Sequence, residues 1–61
     1  MTMQVRIIDT VGRVLFTVNF NDDQFALLAS RGWIFIRNIG GLDAPYMNHT
    51  RLIEAITEMS I

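Results

Sequence analysis

The residues best suited to chemistry lie between positions 37 and 51, where a glycine pair precedes the start of a predicted helix. Free backbone N–H groups at a glycine turn and at a helix N-terminus favour an anion, and Arg37 and Arg51 would add positive charge. The candidate anion-binding residues are Gly40, Gly41, Asn48, His49 and Thr50. An ordinary connection between a strand and a helix is the alternative, because the spacing matches neither the Rossmann nor the P-loop pattern.

Groups suited to acid–base or metal chemistry are few. His49 is the only histidine and the chain has no cysteine, so a metal site of the usual ligands cannot be completed. Asp22 and Asp23 are adjacent and suit a helix start. Glu54 and Glu58, one helical turn apart, suit a solvated face. We therefore expect no catalytic residues, no metal and no cofactor, and predict that the chain is not an enzyme.

Aromatic, methionine and arginine side chains in the second half of the chain are residue types enriched at protein interfaces. Of the 61 residues 51% are apolar, and a domain of this size buries few positions completely. Part of the apolar surface should therefore be covered by a partner. The predicted partner-binding residues are Trp33, Arg37, Tyr46, Met47 and Arg51. Alternatively, Trp33 is only a helix-stop contact and Tyr46 a lid on the core.

The clearest structural signal is a helix over residues 22–31. Asn21 is a preferred N-cap, and Gln24, three residues later, completes a capping box. Gly32 is placed to end the helix in the left-handed conformation, after which Trp33 can fold back on the last turn. This helix would anchor the elements on either side of it.

Hydrophobic periodicity supplies the remaining elements. Alternation predicts strands, and apolar residues at helical spacing predict a second helix; the ranges are 3–9, 14–20 and 33–39 for strands and 49–60 for the helix. The first two strands form a hairpin around Gly12. The segment from 40 to 48 is predicted to be irregular, with Tyr46 and Met47 in a loop.

These elements predict a single small α+β domain over residues 1–61, in the order β-β-α-β-α. Its three-stranded sheet, a hairpin plus a third strand, has the first strand in the middle and is covered by two helices. Ile8, Ile34 and Ile36 are predicted to lie on the less protected side and to form a dimer interface, since two-fold dimers are the commonest assemblies. Pairing between the edges of two copies of the third strand is the alternative.

Charge and composition favour protein binding over other classes of function. The net charge of −1 makes nucleic acid an unlikely partner. No apolar run is long enough for a membrane span and no signal-peptide pattern is visible, so we expect a complete cytoplasmic protein. Our hypothesis is a non-enzymatic protein-interaction module, a small homodimeric inhibitor or regulator of phage or plasmid origin that binds a surface of another protein. The alternative is a small oligomeric protein that binds an anion or nucleotide at the 37–51 loop and the following helix N-terminus.

Overall fold

The structure, a computed structural model, describes residues 1–59, which form two helices and a four-stranded mixed sheet. In chain order the elements are β1 (Thr2–Ile8), β2 (Val14–Asn21), α1 (Asp22–Ser30), β3 (Ile34–Ile39), β4 (Leu42–Asn48) and α2 (His49–Met59). The predicted α+β class is confirmed. The prediction of three strands is wrong, because the order is β-β-α-β-β-α. The predicted end of the second helix, at residue 60, lies outside the described residues.

The four strands are arranged in the order β2-β1-β4-β3. β1 pairs antiparallel with β2, and β3 pairs antiparallel with β4. β1 and β4 pair in parallel at the centre over a short ladder that runs from Arg6 opposite Tyr46 to Ile8 opposite Asn48. β1 is therefore a central strand, as predicted, but β4 separates it from β3.

β4 is the strand that sequence reasoning missed. Gly40 and Gly41 have φ angles of 61° and 85°, and Ile39 pairs with Leu42 across them. Positive φ at both residues is what a two-residue type I′ hairpin turn requires. Pro45 argues against a strand, because it has no N–H to donate to a ladder. It is tolerated because it comes just before the residues of β4 that pair with β1.

The main core lies between the helices and one face of the sheet. Its buried members come from strands and from both helices: Val5, Ile7, Phe20, Leu28, Ile34, Met47, Leu52 and Ala55. Successive strand residues point to opposite faces. A second cluster of Ile8, Ala44 and Tyr46 therefore lies on the other face, and within residues 1–59 it contains no helical residue.

α1 begins and ends as the sequence predicts. Asn21 Oδ1 accepts a hydrogen bond from the Gln24 N–H at 2.8 Å, and Gln24 Oε1 accepts one from the Asn21 N–H at 3.1 Å. At the other end Gly32 has a φ of 77°, and the N–H of Trp33 donates to the carbonyl of Leu28 at 3.1 Å. This is the Schellman pattern of a helix C-terminus, and it holds Trp33 against the main core.

The turn between β1 and β2 is organised by Asp9. Its carboxylate accepts hydrogen bonds from the backbone N–H groups of Val11 at 3.0 Å and Arg13 at 2.9 Å. The bond from the Arg13 backbone is the main cause that lowers the pKa of Asp9 below its ordinary value of 3.8, and the charge of Arg13 acts in the same direction. The turn is therefore stabilised by the ionised form of Asp9.

We expect Asp9→Ala to destabilise the fold in a pH-dependent way. Because the folded-state pKa is lowered, the contribution of Asp9 is fully present above the unfolded-state pKa and is lost as pH falls through the folded-state pKa. The difference in free energy of unfolding between wild type and Asp9→Ala, measured by urea denaturation, should thus be largest at neutral pH and shrink below pH 3.8. Asp9→Asn keeps an acceptor oxygen but cannot ionise, so it should lose less at neutral pH. A wild-type advantage that stayed constant down to pH 2 would contradict this account.

Candidate protein-binding surface

The residues of the predicted anion site are separated by the length of β4. Gly40 and Gly41 form the turn before this strand, whereas Asn48, His49 and Thr50 lie at its other end, where α2 begins. A seven-residue strand separates its two ends by about 20 Å. Asn48 is also used within the chain, because its Oδ1 accepts a hydrogen bond from the Thr50 N–H at 2.8 Å. The structure therefore does not bring these residues together around one anion.

The predicted partner-binding residues are divided between three places. Met47 is fully buried in the main core, so its side chain offers no surface to a partner. Trp33 and Arg51 lie together on the helix side, with the guanidinium carbon 5.0 Å from the ring centroid. Arg37 and Tyr46 lie together on the other side of the sheet, at a corresponding distance of 5.2 Å. Only two of the five residues thus belong to the uncovered side.

The surroundings of Trp33 fit a structural role. Its ring packs against the main core, and the guanidinium carbon of Arg31 lies 5.2 Å from the ring centroid. Arg31 forms an ion pair with Glu58, and Arg51 forms one with Glu54. The positive charges beside this tryptophan are therefore already balanced within the chain.

The three isoleucines predicted at a dimer interface do not share a surface. Ile34 belongs to the main core, and Ile8 belongs to the cluster on the opposite face. Ile36 alone is well exposed, at 56%. The expectation that they lie on one side is wrong, because Ile34 and Ile7 both pair with Met47 and share its face, whereas Ile8 points to the opposite face. Dimerisation stays a prediction, and β3 does lie at an edge of the sheet, where edge pairing would require it.

The open face, as we call the region around Tyr46 on the side of the sheet that neither helix covers, is formed by alternate residues of β1, β4 and β3. These residues are Arg6, Ile8, Phe35, Arg37, Ile39, Leu42, Ala44 and Tyr46. Phe35 is 41% exposed, Ile39 54% and Leu42 75%. Large apolar side chains that are exposed next to one another are typical of interaction surfaces, so the open face is a candidate binding surface.

Tyr46 lies at the centre of the open face and is only 5% exposed, although no helix covers it. Phe35 stacks on it, with ring centroids 6.0 Å apart and planes inclined by 19°. The guanidinium carbons of Arg6 and Arg37 lie 5.8 Å and 5.2 Å from the same ring centroid. Cation–π attraction therefore helps to hold both arginines in place over the sheet.

Arg6 and Arg37 have no carboxylate partner among residues 1–59. Within residues 1–59, the arginines whose side chains form ion pairs are Arg13, Arg31 and Arg51, and none of them lies on the open face. Asp43 alternates onto the helix side of β4, where its Oδ1 accepts a hydrogen bond from Asn38 Nδ2 at 2.9 Å. The open face is consequently positive, even though the chain has a net charge of −1.

A groove lies beside Tyr46, at the point where the ladder between β1 and β4 ends. It has a volume of about 330 Å³ and is lined by Arg6, Ile39, Leu42, Ala44 and Tyr46. Sequence reasoning missed four of these residues, Arg6, Ile39, Leu42 and Ala44. The available signal was the glycine pair between two apolar alternating segments, which is typical of a hairpin.

Comparison of the chain with protein-family models, with curated proteins and with solved structures gives no match. Within residues 1–59, no group of three or more histidine, cysteine, aspartate or glutamate side chains is placed to hold a metal ion. Neither helix in this part of the chain has the length and apolar content needed to cross a bilayer.

Proposed function

We propose that this protein is a non-enzymatic interaction module, an inhibitor or regulator that binds another protein through the open face of its sheet. The observation that supports the proposal is a sheet face without a covering helix that exposes Phe35, Ile39 and Leu42 around Tyr46. Removing apolar surface from water contributes roughly 25 cal/mol per Å². A partner that covers these side chains would therefore gain binding free energy.

The construction of the open face also suits protein binding. Its side chains project from three neighbouring strands rather than from loops. The stacking of Phe35 on Tyr46 and the placement of both arginines over the ring restrict the conformations of these side chains. A surface that is ordered before binding loses less conformational entropy on association.

The alternative proposal, an oligomeric anion or nucleotide binder at the 37–51 loop, has less support. Its glycine turn and its helix N-terminus lie at opposite ends of β4. Asn48 already caps α2 within the chain. Binding one anion with both would require the two ends of β4 to come together. Protein binding at the open face requires no rearrangement of the chain.

Leu42→Asp is the substitution that tests the proposal. Leu42 is 75% exposed on the open face, so a carboxylate there should leave the fold intact, but in the complex it would replace an apolar contact and lose its hydration. We expect affinity purification from cells that express the protein natively to yield a partner with wild type, and at least about tenfold less of it with Leu42→Asp. Quantitative mass spectrometry measures the difference.

Val11→Asp is the matched control, because Val11 is 74% exposed in the turn between β1 and β2, away from the open face. It adds the same charge and should retain the partner. Thermal unfolding should show that both variants remain folded. If Leu42→Asp and wild type retained the same proteins in equal amounts, the open face would not be the binding surface.

A further inference from the structure

We infer that the partner segment that docks on the open face is acidic, and that Arg6 and Arg37 bind two of its carboxylates on either side of Tyr46. This inference rests on the proposed function and adds the chemistry of the partner. It commits to a protein segment in which acidic residues are combined with an apolar residue.

Charge complementarity is the first argument. The arginines outside the open face each have a carboxylate partner, whereas Arg6 and Arg37 have none within residues 1–59. The planar guanidinium group binds carboxylates through two parallel hydrogen bonds, and such charge-assisted bonds are stronger than neutral ones. Two carboxylates from a partner would therefore neutralise the two positive charges of the open face.

The positions of the two arginines are the second argument. Arg6 lies on β1 and Arg37 on β3, on either side of β4. Neighbouring strands are about 4.8 Å apart, and Arg6 and Arg37 pair with residues two positions apart on β4, so their backbones lie about 12 Å apart. Alternate residues of an extended segment lie about 7 Å apart and point to the same face. Two flexible acidic side chains at such positions can spread apart and reach both guanidinium groups. The ring of Tyr46 holds these groups in position before the partner arrives.

The groove supplies the third argument, because it combines one charged and several apolar walls. Arg6 lines it together with Ile39, Leu42, Ala44 and Tyr46. A carboxylate bound at Arg6 would place the neighbouring same-face side chain of the partner over the apolar walls. The groove, with a volume of about 330 Å³, is large enough to hold such a side chain. The expected motif is therefore two acidic residues at alternate positions, with an apolar residue two positions from the one that binds Arg6.

A single-stranded nucleic acid is the other anion that aromatic and arginine side chains on a sheet can bind, by stacking on its bases. Tyr46 is only 5% exposed, because Phe35 and the two arginines already cover its ring. A base therefore has no access to the central aromatic. The net charge of −1 also disfavours a long polyanion. The observations favour an acidic protein segment.

Selection from a phage-displayed library of random heptapeptides tests the inference without knowledge of the partner. The targets are wild type, the double variant Arg6→Gln with Arg37→Gln, and a control with Arg13→Gln and Arg51→Gln. Both double variants remove two positive charges, but the control removes them from exposed ion pairs that contribute little to stability. We expect wild type and the control to enrich peptides with the predicted motif, and the open-face variant to lose this enrichment.

The selected peptide is then measured quantitatively. Its affinity for the open-face variant should be at least about tenfold lower than its affinity for wild type. A peptide in which glutamine replaces the acidic residues should show a similar loss of affinity for wild type. The protein variant with Arg6→Lys and Arg37→Lys keeps the two positive charges without the paired hydrogen bonds, and it should recover part of the affinity. Affinity for wild type should fall as salt is raised. The lysine variant, the glutamine peptide and the salt series decide the matter even if the glutamine variant does not fold.

Three outcomes would overturn the inference. Enriched peptides that lack acidic residues and depend on Leu42 would remove the acidic partner but leave the proposed function standing. Failure of wild type to enrich any peptide over the bare support would remove the inference, while the purification experiment decides separately on the function. Tighter binding of a single-stranded oligothymidylate than of the peptide, lost in the open-face variant, would assign the face to nucleic acid.

Discussion

Met47→Ala is expected to lower the free energy of unfolding by about 2–5 kcal/mol. Met47 is fully buried in β4, with Ile7 opposite it on β1 and Ile34 opposite it on β3. Truncation would leave a cavity at the centre of the main core. Since stability of about 0.05–0.15 kcal/mol per residue is typical, a chain of this length would lose much of its total. Urea denaturation followed by circular dichroism measures the change.

Met3→Ala is the matched control for this prediction. It makes the same chemical change in β1, at a residue that is 38% exposed. Its expected cost is about 1–2 kcal/mol, because more than a third of the residue stays exposed to water and its truncation leaves no enclosed cavity. Equal, small losses for the two variants would indicate that Met47 lies in an exposed loop, as the sequence pattern alone had predicted.

The double substitution Gly40→Ala with Gly41→Ala is expected to cost about 2–4 kcal/mol, from about 1–2 kcal/mol for each residue forced into the left-handed region. The φ angles of these glycines are 61° and 85°. Apart from the adjacent residues of the chain, no atom lies within 4 Å of the place that a Cβ would take at either position, so the cost comes from the backbone and not from a clash with packed side chains. Thermal and urea denaturation would measure it.

Gly40→Asn is the control for the turn, because Asn-Gly is among the preferred sequences of a type I′ turn. It should change the stability by no more than about 0.5 kcal/mol, as is usual for exposed positions. If the double alanine variant were as stable as the asparagine variant, β3 and β4 would not be joined by this turn. The result bears on function, since the turn places Ile39 and Leu42 on the open face.

The parts of the fold that could be predicted are those determined by neighbours in sequence. The bonds between Asn21 and Gln24 and the left-handed Gly32 lie within a few residues of the helix they bound. The first hairpin was predictable for the same reason, since Asp9 and Gly12 define its turn locally. Local interactions can be read from a single sequence because they need no knowledge of the tertiary structure.

β4 could not be predicted because its neighbours are decided by non-local pairing. Strand preference depends strongly on context, and Pro45 is unfavourable in most strands. Only the pairing of Tyr46 with Arg6 on one side and Phe35 on the other makes this segment a central strand. An apolar pair after a proline looks the same in sequence whether it lies in a loop or in a core.

The same limitation explains which site residues were found. Arg37 and Tyr46 were predicted from residue type, and the structure places both on the open face. Arg6 was missed because it reaches Tyr46 through the β1–β4 ladder, 40 positions away in sequence. Met47 was assigned to the surface because residues 40–48 were predicted to form an irregular loop, and only in a strand does alternation direct Tyr46 and Met47 to opposite faces.

Site-specific photo-crosslinking at Phe35 tests most directly the claim that the open face binds another protein. Phe35 is 41% exposed there, and Ile53, 53% exposed on α2, is the comparison site. Each is replaced by p-benzoylphenylalanine in cells that express the protein natively. The account predicts a covalent adduct with another protein at position 35 and no such adduct at position 53. An adduct at 53 but not at 35, or an adduct at 35 only with a second copy of this chain, would contradict it.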